Sequence, residues 1–568
     1  MLLRNILRSL FLFYILYSIF NIPVNAFDSS RPNNKFGIHL ATPSKEELES
    51  AAKLVNTRGG SWGYVTVVIQ DNDRNKIKWQ EAFDRMRELR LIPIVRLATS
   101  PVGGYWAKPT VKEIENWVTF LNSLRWVTKD RYIVLFNEPN HSHEWGGELN
   151  PEEYARVSYE YAKSLKSSNP DYFVMLAGLD LAAASNGADL DAYNYVLRMY
   201  QEKKELKEVV DGLSSHSYPN PGFRGSPYDS GRTSVRGYEW ELEILNELGV
   251  TKELPVFITE TGWTHNGADT DAIAGYFRTA FETWQLDDRV QAVTPFILSY
   301  QGEPFTKFSW QKLNSEEFYN HYYEVEAMPK VMGNPIQIQK GRIVSELPKD
   351  LLAQSTYHFQ VKLRNDGQAV WTYKENYELS FGFAQDKQGI DYFFANIDGI
   401  KPGEERDVDL YIKTSEQAAP RQLMMGLYKN DERIIDEVGW TFQVLPLPSL
   451  DIKTSLIPRI RSEKNREFEV QIFNNKEELV FKQKGLKREN GELIIPEVKN
   501  VYLKGTFRVV VLSRHYLPRQ TFVRFESGQN RANMKALLPL DFYPDGAFSW
   551  RDFWELLRNP RLLDLLLP

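Results

Sequence analysis

The chain contains 568 residues, of which 42% are hydrophobic and 25% are charged, a composition typical of folded domains rather than disordered segments. At roughly 100 to 200 residues per domain, this length predicts several domains and excludes a single small binding module. The 69 basic and 75 acidic residues give a net charge of −6, and no long basic tract occurs, so we expect no nucleic-acid partner. The absence of cysteine excludes disulfides, cysteine-ligated metals and thiol nucleophiles, which leaves carboxylates, hydroxyls and eight histidines for any chemistry.

Residues 1–26 have the pattern of a secretory signal peptide. Arg4 and Arg8 precede an apolar run over residues 9–20, and Ala26 ends a stretch that suits cleavage. The alternative is an uncleaved anchor, although the run is shorter than the ~20 residues that span a bilayer. We therefore expect a bacterial protein that is secreted or held at the cell surface.

Residues 33–332 alternate short β-rich apolar runs with amphipathic stretches, which predicts an α/β domain. The strands are predicted at Phe36–Leu40, Trp62–Ile69, Leu91–Leu97, Tyr132–Phe136, Tyr172–Leu179, Val209–His216, Pro255–Thr259 and Ala292–Leu298. Helices are predicted at Lys45–Ala52, Trp79–Leu89, Val111–Leu124, Pro151–Leu165, Asp191–Glu202, Val235–Leu248, Ala272–Trp284 and after Ser315. Eight repeats of this alternation favour a (β/α)8 TIM barrel over an open doubly wound sheet, whose Gly-rich first turn is missing here.

Polar side chains follow several of these strands, at the end where barrel enzymes place their chemistry. Glu138 follows the fourth strand and Glu260 the seventh, each directly after an apolar run. The other candidates are Arg96 near the end of the third strand, His39 on the first, and His216 and Tyr218, which share a face at the end of the sixth. In a barrel these strand ends converge on one pocket.

Two facing carboxyl groups meet the needs of glycosidic bond cleavage. One protonates the leaving oxygen, and the other attacks the anomeric carbon while neighbouring donors keep it ionised. Either glutamate alone would more simply be a helix cap or an ion-pair partner. Their joint placement at two strand ends favours the catalytic interpretation.

The triplet Asn137-Glu138-Pro139, the pair His216 and Tyr218, and Glu260 resemble the signature of clan A glycoside hydrolases, the retaining (β/α)8-barrel enzymes. This resemblance covers about half of the chain. It implies that Glu138 is the acid/base and Glu260 the nucleophile. It further implies that Asn137 binds the sugar 2-hydroxyl, that Tyr218 and Arg96 hold Glu260, and that His216 lies between the carboxylates and the leaving group.

The aromatic platform of that clan has no clear equivalent in this sequence. Tyr300 comes two residues after the predicted eighth strand, and Trp310 follows ten residues later. Tyr300, Trp310 and Trp263 are therefore candidates for stacking on a sugar, with packing of the loops as the alternative. The loop at 141–144 is rich in histidine, but it lacks a third ligand at motif spacing, so we expect no metal and no cofactor.

Strands alone are predicted after the barrel, in two all-β sandwich domains. Residues 335–445 resemble an immunoglobulin-like module, with an Asn-x-Gly turn at 365–367 and a buried Trp371. Residues 449–535 resemble a small transthyretin-like sandwich. We expect both to act as spacers rather than to bind sugar.

The tail, residues 536–568, resembles one half of a dockerin. Asp541, Asp545 and Asp552 stand at calcium-loop positions 1, 5 and 12, with Gly546 at position 6, but Tyr543 occupies a ligand position. We therefore expect a metal-free turn.

The sequence as a whole predicts a secreted retaining glycoside hydrolase that acts on a poly- or oligosaccharide. We expect a monomer whose C-terminal modules could dock to a cell surface or scaffold. The alternative is a non-catalytic glycan-binding or structural surface protein. The two differ in whether Glu138 and Glu260 face one open pocket.

Overall fold

The computed structural model describes residues 31–265, 270–382, 390–395, 397–457 and 466–565. The predicted signal peptide lies outside these residues. The chain divides into two compact units, residues 1–338 and 339–568. Among the described helices, none combines the length and the apolar character needed to cross a bilayer.

The first unit contains eight parallel strands, each followed by a helix. The strands are β1 Gly37–His39, β2 Gly63–Gln70, β3 Leu91–Ala98, β4 Arg131–Leu135, β5 Tyr172–Leu176, β6 Leu213–His216, β7 Val256–Glu260 and β8 Val290–Val293. The helices are α1 Lys45–Val55, α2 Lys76–Glu88, α3 Ile114–Asn122, α4 Pro151–Ser168, α5 Ala192–Glu202, α6 Gly237–Glu247, α7 Thr270–Leu286 and α8 Asn320–Ala327. The predicted alternation is thus present.

Three predicted strands extended too far. The strand predicted as Tyr172–Leu179 ends at Leu176. The segment predicted as Val209–His216 begins with a helical turn, Leu206–Val209, and becomes strand only at Leu213. The eighth strand ends at Val293 rather than Leu298, because the backbone beyond it bonds alternately to strands and loops: Leu298 N–H donates to the His39 carbonyl in β1 at 2.9 Å, whereas Ile297 N–H donates to the Phe308 carbonyl at 3.3 Å. Apolar runs do not distinguish a strand from a buried loop of the same composition.

The eight strands form a five-stranded sheet in the order β1-β2-β3-β4-β5 and a three-stranded sheet in the order β8-β7-β6. Isolated parallel bridges link both pairs of sheet edges, Phe36 with Val293 and Met175 with Gly212. Side chains facing away from the helices form a separate buried cluster drawn from both sheets: Tyr64, Ile92, Ile94, Tyr132, Val134, Phe173, Met175, Phe257 and Ala292. All carboxyl ends of the strands therefore lie on one side, where Arg96, Glu138, His216 and Glu260 are placed.

The second unit is rich in antiparallel sheet and has two cores. The first core lies between a sheet of Gly341–Ile343, Thr356–Asn365, Glu405–Thr414 and Ile390–Ala395, and a sheet of Asp350–Leu352, Val438–Leu445, Ala419–Lys429 and Tyr377–Gly382, with Glu432–Arg433 added. Trp371 is fully buried in it, as predicted. The side chain of Asn365 closes the predicted Asn-x-Gly turn by accepting from Gly367 N–H at 3.0 Å.

The second core lies between two further sheets. One contains Glu492–Ile495, Ser449–Lys453 and Gln529–Asn533, and the other contains Leu479–Leu486, Phe468–Phe473, Thr506–Ser513 and Tyr516–Arg524. These sheets agree with the strand-only prediction for this part of the chain. The immunoglobulin-like and transthyretin-like assignments remain predictions.

The tail ends in helix α9, Trp550–Arg558, followed by a 3-10 turn, Pro560–Leu565. The buried carboxylate of Asp552 accepts from Tyr543 N–H at 2.9 Å and from Ser549 N–H at 2.7 Å. Asp541 accepts from the N–H groups of Asp545 and Gly546 at 3.2 and 3.3 Å. Both acids thus accept hydrogen bonds from backbone N–H groups of the tail. Among the described residues of the tail, no three side chains converge as metal ligands would.

We expect the full chain to bind calcium no more tightly than about 10⁻⁴ M, because the backbone N–H groups already occupy the oxygens that an ion would need. Isothermal titration with CaCl₂ measures this affinity. Asp552→Asn, which removes one acid, is the matched variant, and its titration should be indistinguishable from that of the unmodified chain. A micromolar site lost in Asp552→Asn would contradict the prediction.

Candidate active site

A pocket of about 350 Å³ opens at the carboxyl ends of the strands. Five predicted site residues line it together: Arg96, Asn137, Glu138, Tyr218 and Glu260. Glu138 and Glu260 therefore face the same open pocket. This is the arrangement that the catalytic interpretation requires and that separates it from the non-catalytic alternative.

Glu260 is the last residue of β7 and is buried. One carboxylate oxygen contacts the Arg96 guanidinium, and the other accepts from the Tyr218 hydroxyl at 3.0 Å. Burial raises the pKa of Glu260, but the positive field of His216 and Arg96 outweighs burial and holds that pKa well below its usual range. Glu260 is therefore an ionised carboxylate in the pocket floor.

Glu138 lies just beyond β4 in a sharply bent segment. Phe136 has φ 73° and Glu138 has φ 29°, values in the left-handed region that non-glycine residues seldom adopt. Phe136 is held there by edge contacts with Trp145 and Tyr161, with ring centroids 5.9 and 5.3 Å away. This turn directs the half-buried Glu138 side chain into the pocket rather than along the barrel wall.

His216 connects the two carboxylates. Its Nδ1 lies 2.7 Å from Glu138 Oε1 and 3.9 Å from Glu260 Oε2. Burial lowers the pKa of His216, but the negative charge of Glu260 and the hydrogen bond to Glu138 outweigh burial and raise it above its ordinary value. A proton is thus held between the two acids.

Gly178 fixes the position of the His216 ring. A Cβ at this glycine would lie 2.2 Å from His216 Cδ2, so any side chain there would collide with the ring. Gly178 also accepts from Glu138 N–H at 3.2 Å through its carbonyl. One glycine therefore places both members of the Glu138 and His216 pair.

Arg96 and His39 complete the surroundings of Glu260. Arg96 also donates to Asn137 Oδ1 at 2.6 Å, which orients that amide at the pocket wall. His39 Nε2 lies 3.9 Å from Glu260 Oε1, and burial together with the Arg96 charge lowers the pKa of His39 to about 3, so this ring is neutral. His39 lies under the pocket rather than in its lining.

Three aromatic candidates lie elsewhere. Trp263 is buried against Phe277, and its indole N–H donates to the Gly225 carbonyl at 2.8 Å. Trp310 is buried against Phe277 and His321. Tyr300 packs edge-on against Phe305 and is not among the lining residues. The burial of Trp263 and Trp310 favours the packing alternative for these two side chains. Tyr300 is half-buried beside Phe305, which lines the pocket, and its role in stacking stays a prediction.

Other aromatic and polar residues line the pocket instead. The aromatic ones are Trp106, Phe136, Phe223, Phe296, Phe305 and Phe308, and the polar ones beyond the predicted set include Thr99, His141, His143, Glu144 and Asp180. His141, His143 and Glu144 belong to the histidine-rich loop for which no metal is expected. The sequence analysis does not identify Asp180, although this residue follows the apolar run of β5. The position of Asp180 after a strand is the signal that could have found it.

His141 is held between two aspartates at the pocket rim. Its Nδ1 lies 2.7 Å from Asp189 Oδ1 and its Nε2 lies 3.2 Å from Asp180 Oδ2. Burial lowers the pKa of His141, but the hydrogen bonds to Asp180 and Asp189 outweigh burial and raise it to about 9. This imidazolium is therefore charged at neutral pH and fixes Asp180 at the pocket wall.

The side chains of Glu138, His216 and Glu260 each offer a ligand atom within 4.8 Å of the others, as a metal site would require. Both oxygens of Glu260, however, already contact Arg96 and Tyr218. A divalent cation would lie beside a buried guanidinium, which repels it. The arrangement suits acid/base and nucleophilic chemistry better than metal binding.

Residues 67–317 match a protein-family model described as a glycosyl hydrolase catalytic core. This segment contains Arg96 and both glutamates. The match identifies the protein as a glycosidase. No curated protein matches the chain.

Several solved glycoside hydrolases overlap the chain at low identity. An endo-β-1,3-glucanase from Sorangium cellulosum is 13% identical over 52% of this chain and 98% of its own, with a TM-score of 0.37. A family 39 glycoside hydrolase from Bacteroides cellulosilyticus is 13% identical over 69% and 82%, with a TM-score of 0.37. A β-mannanase from Thermomonospora fusca is 13% identical over 51% and 87%, with a TM-score of 0.33.

His141 should make the stability of the first unit depend on pH. Its folded-state pKa of about 9 exceeds the unfolded value of about 6.5, so its contribution is fully present below pH ~6.5 and is lost as pH rises through about 9. In His141→Gln the thermal unfolding temperature should fall at pH ~6 and should change less between pH ~6 and pH ~10. Differential scanning calorimetry across this range measures both quantities.

His358→Gln is the control for this experiment, because the exposed His358 bonds to a single aspartate, Asp409, at 2.9 Å in the second unit. It should leave the pH dependence of the first unit unchanged. If the unfolding temperature falls equally with rising pH in His141→Gln and in the unmodified chain, the ion pairs of His141 with Asp180 and Asp189 do not stabilise the fold.

Proposed function

We propose that the protein is a retaining glycoside hydrolase that cleaves a poly- or oligosaccharide, with Glu260 as nucleophile and Glu138 as acid/base. The observation that carries this proposal is the spacing of the two carboxylates. One oxygen of Glu138 and one of Glu260 lie within 4.8 Å of each other. Retaining pairs are separated by about 5 to 5.5 Å, whereas inverting pairs need about 6.5 to 9.5 Å to admit a water molecule.

We further propose that the eight strands form a closed (β/α)8 barrel in residues 33–332. Closure requires a joint at each pair of sheet edges. The parallel bridge of Phe36, just before β1, with Val293 of β8 supports one joint, and the bridge of Met175 in β5 with Gly212, just before β6, supports the other. The separate cluster of inward side chains from both sheets supports the same arrangement, because a closed barrel fills its own interior. Closure brings β3, β4, β6 and β7 around one pocket mouth.

The first chemical step transfers the sugar to Glu260. The Glu260 carboxylate attacks the anomeric carbon, the bond from that carbon to the leaving oxygen breaks, and the Glu138 carboxylic acid gives its proton to that oxygen. Arg96 and Tyr218 orient the attacking oxygens and keep Glu260 ionised in a buried place. Asn137, oriented by Arg96, is placed to bind a sugar hydroxyl.

The second step releases the sugar. Esterified Glu260 has lost its negative charge, and since that charge raises the pKa of His216, the pKa of His216 then falls. The Glu138 carboxylate takes a proton from water, the hydroxide attacks the anomeric carbon, and the ester bond to Glu260 breaks. Two inversions return the original anomeric configuration.

We also propose that the protein acts outside the cytoplasm, exported by the pattern in residues 1–26. The tail and the two sheet-rich regions would then place the barrel at a surface or on a scaffold. Their immunoglobulin-like, transthyretin-like and dockerin-like resemblances support a role in placement rather than in catalysis.

Glu260→Ala should abolish hydrolysis of natural and activated substrates, because no group remains to form the ester. Added azide should restore turnover of an aryl glycoside and yield a glycosyl azide of inverted configuration. Nuclear magnetic resonance of the product gives that configuration. An azide product of retained configuration would refute Glu260 as the nucleophile.

Glu138→Ala should lose about 10²-fold or more of kcat/KM on the natural saccharide and far less on substrates with good leaving groups, which do not need protonation. Glu144→Gln removes another pocket carboxylate and is the matched control, which should lower both substrates' rates equally and mildly. Equal losses on the two substrates in Glu138→Ala would count against Glu138 as the acid.

Arg96→Gln should move the acidic limb of the kcat/KM profile upward by about one pH unit or more, because loss of the guanidinium raises the pKa of Glu260. Tyr218→Phe should shift the limb in the same direction by a smaller amount, and Arg96→Lys should retain most of the original profile. Initial rates between pH ~3 and pH ~8 measure the limb. An unchanged limb in Arg96→Gln would mean that Arg96 does not control the ionisation of Glu260.

A further inference from the structure

Helix α9 at the end of the chain presents its apolar side chains to solvent. Trp550 is 78% exposed and Trp554 is 60% exposed, and Phe553 and Leu557 are also exposed. These four residues occupy positions i, i+3, i+4 and i+7, so they form one stripe along the helix. Large apolar groups gathered on one exposed face usually mark an interaction site.

The buried residue of this helix is the polar Asp552, whereas an ordinary surface helix buries apolar residues. Asp552 is fully buried and accepts from Tyr543 N–H and Ser549 N–H, and Ser549 completes a capping box at the first turn. A nine-residue helix is only marginally stable alone, so these bonds hold the stripe in place before any partner arrives.

Apolar exposure extends beyond the helix on both sides. Tyr543 and Phe548 are exposed in the preceding turn, and Leu563 is exposed in the 3-10 turn that follows. Three successive segments thus contribute large apolar side chains. A narrow groove of a partner protein accepts one helical stripe, whereas a broad apolar layer accepts all three segments.

The exposed charges around the stripe are three arginines and two aspartates. Arg551, Arg558 and Arg561 are exposed, whereas Asp552 is buried and Glu555 is half-buried, which leaves Asp545 and Asp564 as the exposed acids between 543 and 564. Arg551 lies 4.0 Å from Asp545. Arg551 and Arg558 are seven residues apart and flank the stripe on one side. Tryptophan on the apolar face with arginine at its edge is the pattern of helices that lie in the interface of an anionic bilayer.

We propose that α9 and its flanking turns form a membrane-surface binding site that inserts its aromatic stripe into an anionic lipid interface. The apolar side chains enter the boundary between headgroups and acyl chains, and Arg551 and Arg558 bind lipid phosphates at the edge. The site would keep the glycosidase at a membrane surface. This proposal does not depend on the catalytic roles of Glu138 and Glu260.

The test uses the full chain and sedimentation with vesicles of phosphatidylcholine alone or mixed with phosphatidylglycerol. The full chain should bind the mixed vesicles more tightly than the neutral ones. The double variant Trp550→Ser/Trp554→Ser should lower the partition coefficient at least about tenfold. Arg551→Gln/Arg558→Gln should remove most of the preference for phosphatidylglycerol and most of the salt dependence.

The matched control is Phe393→Ser/Tyr411→Ser, which removes two aromatic residues of the same unit that are 63% and 41% exposed on a sheet. It should bind vesicles as the unmodified chain does. Glycosidase activity retained in the Trp550/Trp554 variant shows that the chain is folded. Trp550→Phe/Trp554→Phe, which keeps the stripe apolar, should retain binding within a few-fold.

Three outcomes would overturn the proposal. The first is that the full chain binds neither vesicle. The second is that the Trp550/Trp554 variant binds as well as the unmodified chain, which would assign binding to another part such as residues 1–26. The third is concentration-dependent association without lipid that the same variant abolishes, which would assign the stripe to a protein interface.

Discussion

The candidate active site depends on one buried negative charge, the carboxylate of Glu260. A carboxylate removed from water is costly unless donors and positive charges replace its hydration. Arg96 and Tyr218 each contact one oxygen, and His216 adds positive potential from a third direction. Arg96 comes from β3, His216 and Tyr218 come from the end of β6, and Glu260 ends β7, so the fold must bring these three strands together before the charge is tolerable.

The same requirement explains why the two glutamates differ although both follow apolar strands. Glu260 is enclosed by donors, whereas Glu138 lies on a bent segment at the pocket wall. The side chain of Glu138 shares a hydrogen bond with His216. A proton held near Glu138 and a charge held on Glu260 are two results of one arrangement. His216 lies close to both carboxylates, 2.7 Å from Glu138 and 3.9 Å from Glu260, and so links the two sides of the pocket.

Much of this site could be predicted from the sequence, because short apolar runs that alternate with amphipathic stretches show roughly where each strand ends. Apolar runs followed at once by Glu138, His216 or Glu260 indicated which side chains would meet. The positions of the tryptophans were not readable in this way, since Trp263 and Trp310 follow the same strand ends as the lining residues, and the sequence does not show which of these side chains face the pocket. The exposure of the apolar face of α9 was also hidden, because the pattern shows that a helix has an apolar face but not which way that face turns.

Gly178 restricts which residues can be substituted at positions 216 and 138. Since its missing side chain is the space that the His216 ring occupies, a substitution at 178 could persist only if residue 216 became smaller or moved. A smaller residue at 216 would in turn remove the group that bonds to Glu138. Mutational effects at these three positions should therefore be strongly epistatic, and libraries that vary them one at a time would find few active sequences.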